Sequence, residues 1–467
     1  MNTLLRAVIV LFGLATFSYA APFPLSLPAG EIEMCSAYEM DDMYLFAGDA
    51  GATVGDQSSQ GEVHVFKRTG GNTWAYQTTL HAPDGTSNDN FGRSLAYNGS
   101  GTLIVGAPVA PWTGRSRGAI YKFNLDSGTG TWAHVATYGN DSCSSLARFG
   151  TSVDVFQDRI IVGAPSHYAA GYIGMVCIMD ISNGDIIRTI TGSVNSGSWG
   201  ASTLGYSVSI NGTYAVASAR GDTNPASNDG RVYVFDKNIS DGDADSWGLK
   251  QYIANPDTSS EYCEFGATLA LSHTTEDLLV ADSVESSIAE YAGVTHRYSL
   301  NPINSTWELR ETYRGNSQAH QYFGSSVGIY GDRFLIGASG YYDDPSEPVG
   351  AVFRYKKNVD WVYEGIMRDE EYGTVKSKLG SVLDISENYY VINSIVHKKG
   401  EYVPPVVVSP GDVNNDSILN LTDVVLSLQI AAGIIPSDTV YAGADINGDK
   451  KIGMVDALFV LRAVAGL

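Results

Sequence analysis

Two segments near the carboxyl end carry oxygen ligands at a spacing that suits a hard cation. Residues 412–423 read DVNNDSILNLTD and residues 445–456 read DINGDKKIGMVD. Ca2+ takes about six to eight oxygens at ~2.3–2.6 Å, and a twelve-residue loop with oxygens at positions 1, 3, 5 and 12 brings them to one point. In the first loop these are Asp412, Asn414, Asp416 and Asp423, with the Ile418 carbonyl at position 7 and Asn420 placed to hold a water. In the second they are Asp445, Asn447, Asp449 and Asp456, with the Lys451 carbonyl. An apolar helical segment follows each loop, VVLSLQIAAG and then ALFVLRAVAG, with Gly433 and Gly466 as natural stops. Residues 419–434 align without a gap onto 452–467. The expectation is a small all-α module holding two calcium ions.

Elsewhere the chemistry is sparser. The eight histidines form no HExxH pair, and there is no GxSxG and no phosphate loop. Acids are plentiful, so paired carboxylates converging in the fold stay open. Five aromatics in loops, Trp112, Tyr168, Tyr172, Tyr341 and Tyr342, are candidates for stacking on sugar rings, with packing between elements as the plainer reading. Arg220-Gly221-Asp222 matches an adhesion tripeptide, a three-letter signal of low specificity. Sequons occur at Asn98, Asn140, Asn211, Asn238, Asn304, Asn415 and Asn420.

The elements that would position such groups come from a repeat. FGTSVDVFQDRIIVGAP at residues 149–165 returns as near-copies in units that begin at Met34, Phe91, Phe149, Leu204, Phe265, Phe323 and Leu379. Each unit holds four strand-like pieces: a short one after the FG, a continuously apolar run ending in GA, a Gly-led alternating strand, and a last strand that often opens at Trp. Four short strands per unit, at a period above ~40 residues, signal an all-β β-propeller, here with seven blades. Continuous apolar runs fit strands covered on both faces. The seventh unit lacks a fourth strand, and residues 23–30 resemble one, so the amino-terminal segment is expected to complete the last blade and close the ring. Residues 404–410, PPVVVSP, read as a stiff linker between a propeller at 22–403 and the calcium-binding module at 411–467.

The FG and GAP motifs resemble the FG-GAP repeat family, to which integrin α-chain heads belong. The resemblance implies a recognition or adhesion role for the propeller. Integrin-type DxDxDG loops have no counterpart between the first two strands, so no calcium is expected in the propeller. The duplicated loop-helix unit resembles a type I dockerin, an EF-hand-like domain that plugs secreted proteins into cohesin modules on a scaffold. Asp at position 12 fits that family, while Ser417 and Lys450 stand where Gly is usual. The resemblance makes Leu421, Thr422, Met454 and Val455, at loop positions 10 and 11, the candidate partner-binding residues.

Composition adds limits. Arg6, the apolar run 7–17 and Ser18-Tyr19-Ala20 read as a secretory signal peptide over residues 1–20, and no later stretch is long enough to span a membrane. The expected setting is extracellular, free or attached through a scaffold. A formal net charge of −22 at pH 7 disfavours nucleic acid and anionic lipid. Four cysteines, Cys35, Cys143, Cys177 and Cys263, leave disulfide pairing open. Two functions follow: a secreted binding or adhesion protein that recognises a glycan or surface protein, or a polysaccharide hydrolase or lyase delivered by the same dock.

Overall fold

The repeats fold as seven four-stranded antiparallel sheets in a computed structural model, which describes residues 23–27, 30–31, 35–169, 171, 173–192, 203–222, 230–240, 247–257, 263–315, 318–342, 350–368, 378–399, 413, 421–431 and 454–465. Contacts divide the chain after Lys399 into the ring and a carboxy-terminal unit.

Blade 3 shows the pattern. Its strands Ser152–Phe156, Arg159–Ala164, Met175–Asp180 and Ile186–Thr191 lie in chain order from the axis outward. The second strand, RIIVGA, is buried from Ile160 to Ala164, as a strand covered on both faces requires. Blades 1, 2, 4, 5 and 6 repeat this order. In all six, the register between third and fourth strands slips four residues after the glycine that leads the third strand, for example at Lys122/Phe123 and Arg297/Tyr298, and blade 1 slips a second time at Arg68/Gly70. A bulge repeated at one position adds twist to every blade in the same way.

Glycines set the distance between blades. A Cβ at Gly106, in the second strand of blade 2, would stand 2.2 Å from the carbonyl oxygen of Gly150, the FG glycine of blade 3. The same near-contact recurs between Gly48 and Gly92, Gly163 and Gly205, and Gly337 and Gly380. Alongside it, the Phe149 amide donates to the Arg117 carbonyl at 2.8 Å, and Phe91 does the same to Gln60. The FG phenylalanines Phe91, Phe149, Phe265 and Phe323 are wholly buried, and three of the rings meet the third strand of their own blade: Phe91 on Tyr121 and Phe123, Phe265 on His296 and Tyr298, Phe323 on Phe353. The tryptophans of the fourth strands form a second contact. Trp74 meets Tyr389 edge-on at 5.5 Å, Trp132 meets Tyr44 at 5.5 Å, and Trp307 meets Tyr214 at 5.4 Å, in each case a tyrosine of the blade before.

The ring closes as its sequence suggests. Phe23–Pro24 pairs antiparallel with Ile395–Val396, the third strand of blade 7, and so supplies that blade's outer strand. Cys35, Cys143 and Cys177 are free, buried thiols, and Cys263 is buried as well. Burial pushes Cys35 and Cys143 up to about 12 and Cys177 up to about 11.

In the carboxy-terminal unit two helices are described, α1 (Leu421–Ala431) and α2 (Met454–Ala465), packed on each other. The 33-residue duplication is visible in their burial. Val424 and Ala457 face inward, as do Ser427 and Val460, while Leu421 and Met454, Val425 and Leu458, and Leu428 and Leu461 face solvent.

Gly106→Ala is expected to destabilise the propeller by about 2–3 kcal/mol, because the Gly150 carbonyl, which is backbone and cannot move aside, blocks the new methyl together with Ser94 Oγ. Gly51→Ala, whose nearest obstacle lies 3.5 Å away, should change stability by less than about 0.5 kcal/mol. Urea-unfolding midpoints of the two variants check this.

Candidate functional site

The first strand of each blade alternates its side chains between neighbouring blades and the ring axis. The sixth residue of each unit stands at one register of this strand: Glu39, Asp154 and Asp384 in blades 1, 3 and 7 and the smaller Ser209, Ala270 and Gly328 in blades 4, 5 and 6 line the axis, while Ala96 of blade 2 is packed in the core and its neighbours Leu95 and Tyr97 line it instead. Large side chains cannot share one axis, so three acids are accommodated among small neighbours. The result is a cavity of about 580 Å3, lined by all seven blades and extending to the turns between their first and second strands. Its walls include Tyr97, Phe156 and Tyr330, and its other polar groups include Asp41, Asp42, Glu387 and His273.

The carboxylates are held by backbone and hydroxyl donors. Asp384 Oδ2 accepts the Met40 amide at 2.7 Å, across the junction of blades 7 and 1. Asp154 Oδ2 accepts Ser209 Oγ at 2.7 Å and the Ile210 amide at 2.8 Å. His273 Nε2 stands 3.9 Å from the same oxygen, with its ring edge-on to Phe156 at 5.2 Å.

Their protonation reflects crowding in a poorly solvated channel. Burial, then the charges of Asp384 and Asp154, hold Glu39 well above the usual carboxylate range. Burial pushes Asp384 up to about 6 against the pull of its amide donors, and Asp154 adds to the rise. Burial works against a charged His273, but the Asp154 carboxylate prevails and raises its pKa. The site therefore offers proton donors and acceptors side by side around neutral pH. Among the described residues, no three His, Cys, Asp or Glu side chains are grouped to hold a metal ion.

The aromatic candidates occupy the other end of the blades, in loops between second and third strands, and the structure does not gather them. Trp112 of blade 2 is half-buried over Gly139, its indole N–H donating to Asp141 Oδ1 at 3.2 Å. Tyr168 of blade 3 is 55% exposed. Tyr341 of blade 6 is buried against Phe353, with the Arg368 guanidinium 5.8 Å from its ring, and serves blade packing; Tyr342 is half-buried. Tyr172 lies outside the described residues. Arg220-Gly221-Asp222 is not displayed: Asp222 is 1% exposed and accepts Tyr233 Oη at 2.7 Å. Arg220 bonds Glu264 at 2.8 Å and lies over the Tyr206 ring. The sequon Asn140 is likewise buried, its amide on Cys177 Sγ at 3.1 Å.

Of the calcium-loop residues, Asp412, Asn414, Asp416, Ile418, Asn420, Asp445, Asn447, Asp449 and Lys451 lie outside the described residues, as do the side chains of Thr422, Val455 and Asp456. Asp423 is described. It is buried, in the first turn of α1, and accepts the Val413 amide at 2.8 Å, so position 12 reaches back to the start of its own loop.

The axial acids are absent from the sequence-level candidates. Stacking the seven units shows acids at one register of an alternating strand, and that signal was available without coordinates.

Comparison with known proteins fits the repeat. A family profile described as FG-GAP repeat matches residues 74–123 and 200–235, and the chain carries FG-GAP repeats. No curated protein matches the chain. Among solved structures, an X-ray structure of a hypothetical selenium-binding protein from Sulfolobus tokodaii is similar, at 13% identity and a TM-score of 0.47, covering 70% of this chain and 74% of that one.

The His273 imidazole is expected to titrate above its ordinary value of about 6.5, and Asp154→Asn should bring it back to or below that value. Histidine ring resonances followed by NMR from pH 5 to 9 check this.

Proposed function

We propose that the chain is a secreted binding protein whose propeller recognises a glycan or a surface protein, and whose carboxy-terminal unit docks it, with calcium, to a cohesin-bearing scaffold. The observation that carries the recognition half is the axial cavity, where every blade contributes lining and carboxylates lie beside tyrosine and phenylalanine walls. That mixture suits a polyhydroxylated ring or a polar side chain: carboxylates accept hydroxyl or amine protons, and aromatic faces take the apolar side. The FG-GAP repeats support a binding or adhesion role in the same direction.

The docking half rests on the duplicated helices. Leu421, Val425 and Leu428 make an exposed apolar stripe on α1, and Met454, Leu458 and Leu461 repeat it on α2. Contiguous apolar surface of this kind marks a protein contact, and Leu421 and Met454 are the residues that the dockerin resemblance assigns to the partner. For the ion, a buried position-12 carboxylate turned back onto its loop fits a calcium ligand set completed by Asp412, Asn414, Asp416 and the Ile418 carbonyl, with the second loop built alike. Bound calcium would neutralise these acids and tie each loop to its helix.

A second reading, hydrolysis or elimination on a polysaccharide, is favoured by one observation. Asp384, Glu39 and the Asp154–His273 pair place acids and bases of different strength in a single cavity.

Calorimetry on the metal-free full-length chain is expected to show two Ca2+ per molecule, with Asp423→Ala and Asp456→Ala each removing one. No uptake would overturn the calcium-dependent dock. On a glycan array, Asp154→Asn should weaken the signal at least tenfold without loss of fold by circular dichroism; an unchanged signal removes the axial cavity from recognition. Release of reducing ends or unsaturated sugars from polysaccharide would decide for the enzyme.

A further inference from the structure

The ring has one place where peptide connectivity is weak. The last three strands, Leu383–Ile385, Tyr389–Ile392 and Ile395–Lys398, are tied to the start of the chain by a two-residue strand pairing and by side chains across the face between blades 7 and 1. Across that face Tyr38 Oη meets Ser394 Oγ at 2.6 Å, Tyr389 Oη donates to the Gly71 carbonyl at 2.7 Å, and Asp42 accepts Ser386 Oγ and the Asn388 amide, both at 2.9 Å. Where the same face reaches the axis, Glu39 of blade 1 and Asp384 of blade 7 come together, with Asp384 bonded to the amide of the residue after Glu39. Two acids that line one cavity, with the Asp384 charge raising the Glu39 pKa, therefore stand at the junction of the first and last blades.

We propose that the junction between blades 1 and 7 is a proton-dependent latch, closed while the Glu39–Asp384 pair shares a proton and loosened when both carboxyls are ionised. The surroundings do little to neutralise a second charge. From blade 1 the pair faces Asp41 and Asp42, with Arg68 behind Asp41; from blade 2, Tyr97; from blade 3, Asp154; from the blade 5 turn, His273; from blade 6, Tyr330; from blade 7, Glu387 and, beyond it, Lys399. Asp154 already engages His273, so that cation is shared. Lys399 lies over the Tyr330 ring.

The direction with pH follows from these groups. A carboxyl whose pKa is raised in the closed junction favours closure fully below the ordinary range near 4, and that contribution is lost as pH rises through the raised value. For Asp384 that value is about 6, and Glu39 extends the window upward. The junction should be tightest in mild acid and loosest above neutrality. Loosening there would widen the axial cavity, because Glu39 and Asp384 form part of its wall.

Hydrogen exchange of the full-length chain at pH 5 to 8, corrected for intrinsic rates and with calcium held constant, tests this. Peptides covering residues 383–398 should lose protection about tenfold or more between pH 5 and 8, while those covering residues 231–236, the third strand of blade 4, stay level. In Glu39→Gln and in Asp384→Asn the loss should largely vanish, with protection at pH 8 near the wild-type level at pH 5. Equal behaviour of the two regions in the wild type overturns the latch, whether or not the variants fold. So does an undiminished pH dependence in both variants.

Discussion

Everything in the propeller depends on how closely two backbones can approach beside the axis. Gly106 lies so near the Gly150 carbonyl that one extra carbon would sit inside it, and the same approach holds at three further junctions. At the junctions of blades 4 with 5 and 5 with 6, Ser218 and Ala281 replace the strand glycine, yet the facing Gly266 and Gly324 keep left-handed backbone with φ of 90° and 92°. At these six junctions the strand glycine can be relaxed but the FG one is kept, because it combines close approach with a φ that side chains resist; where blade 7 meets blade 1 the two positions hold Asn393 and Cys35. With that spacing set, the four FG phenylalanines are buried, and Trp74, Trp132 and Trp307 reach a tyrosine of the blade before.

Close approach at the axis creates the site as well as the scaffold. Seven strands converging on one line leave room for only a few sizeable side chains, and three of the seven positions are acids. Burying like charges raises their pKa values and works against the closed ring at neutral pH. Such an arrangement does not stabilise the fold, which is why these residues, rather than the better packed aromatics at the opposite end, make the cavity the candidate site. The first and last blades share this strain, so the polar lining and the closure of the ring are physically linked.

The carboxy-terminal unit follows a different rule. Its two helices repeat a pattern in which buried Val424 and Ser427 have buried counterparts 33 residues on, Ala457 and Val460. The exception is Leu426, buried, against Phe459, 42% exposed. An apolar stripe left outward on both helices is costly for an isolated unit and useful to one that meets a partner.

Much of this was legible in the residues alone. Seven FG-type starts at near-constant spacing, apolar second strands and a missing seventh outer strand dictated the blade count and the closure by Phe23–Pro24, because these depend on local pattern and chain length. The 33-residue echo likewise announced two matched helices. Three-dimensional proximity was not legible. Nothing local in Arg220-Gly221-Asp222 tells that Asp222 is sealed beneath Tyr233, or in Tyr341 that Phe353 covers it. Glu39, Asp154 and Asp384 are separated by more than a hundred residues each and become neighbours only when the ring closes. Periodicity determines elements because the backbone reads it residue by residue. Shared burial and coupled charge belong to the tertiary structure, since both depend on distances that the chain acquires only by folding.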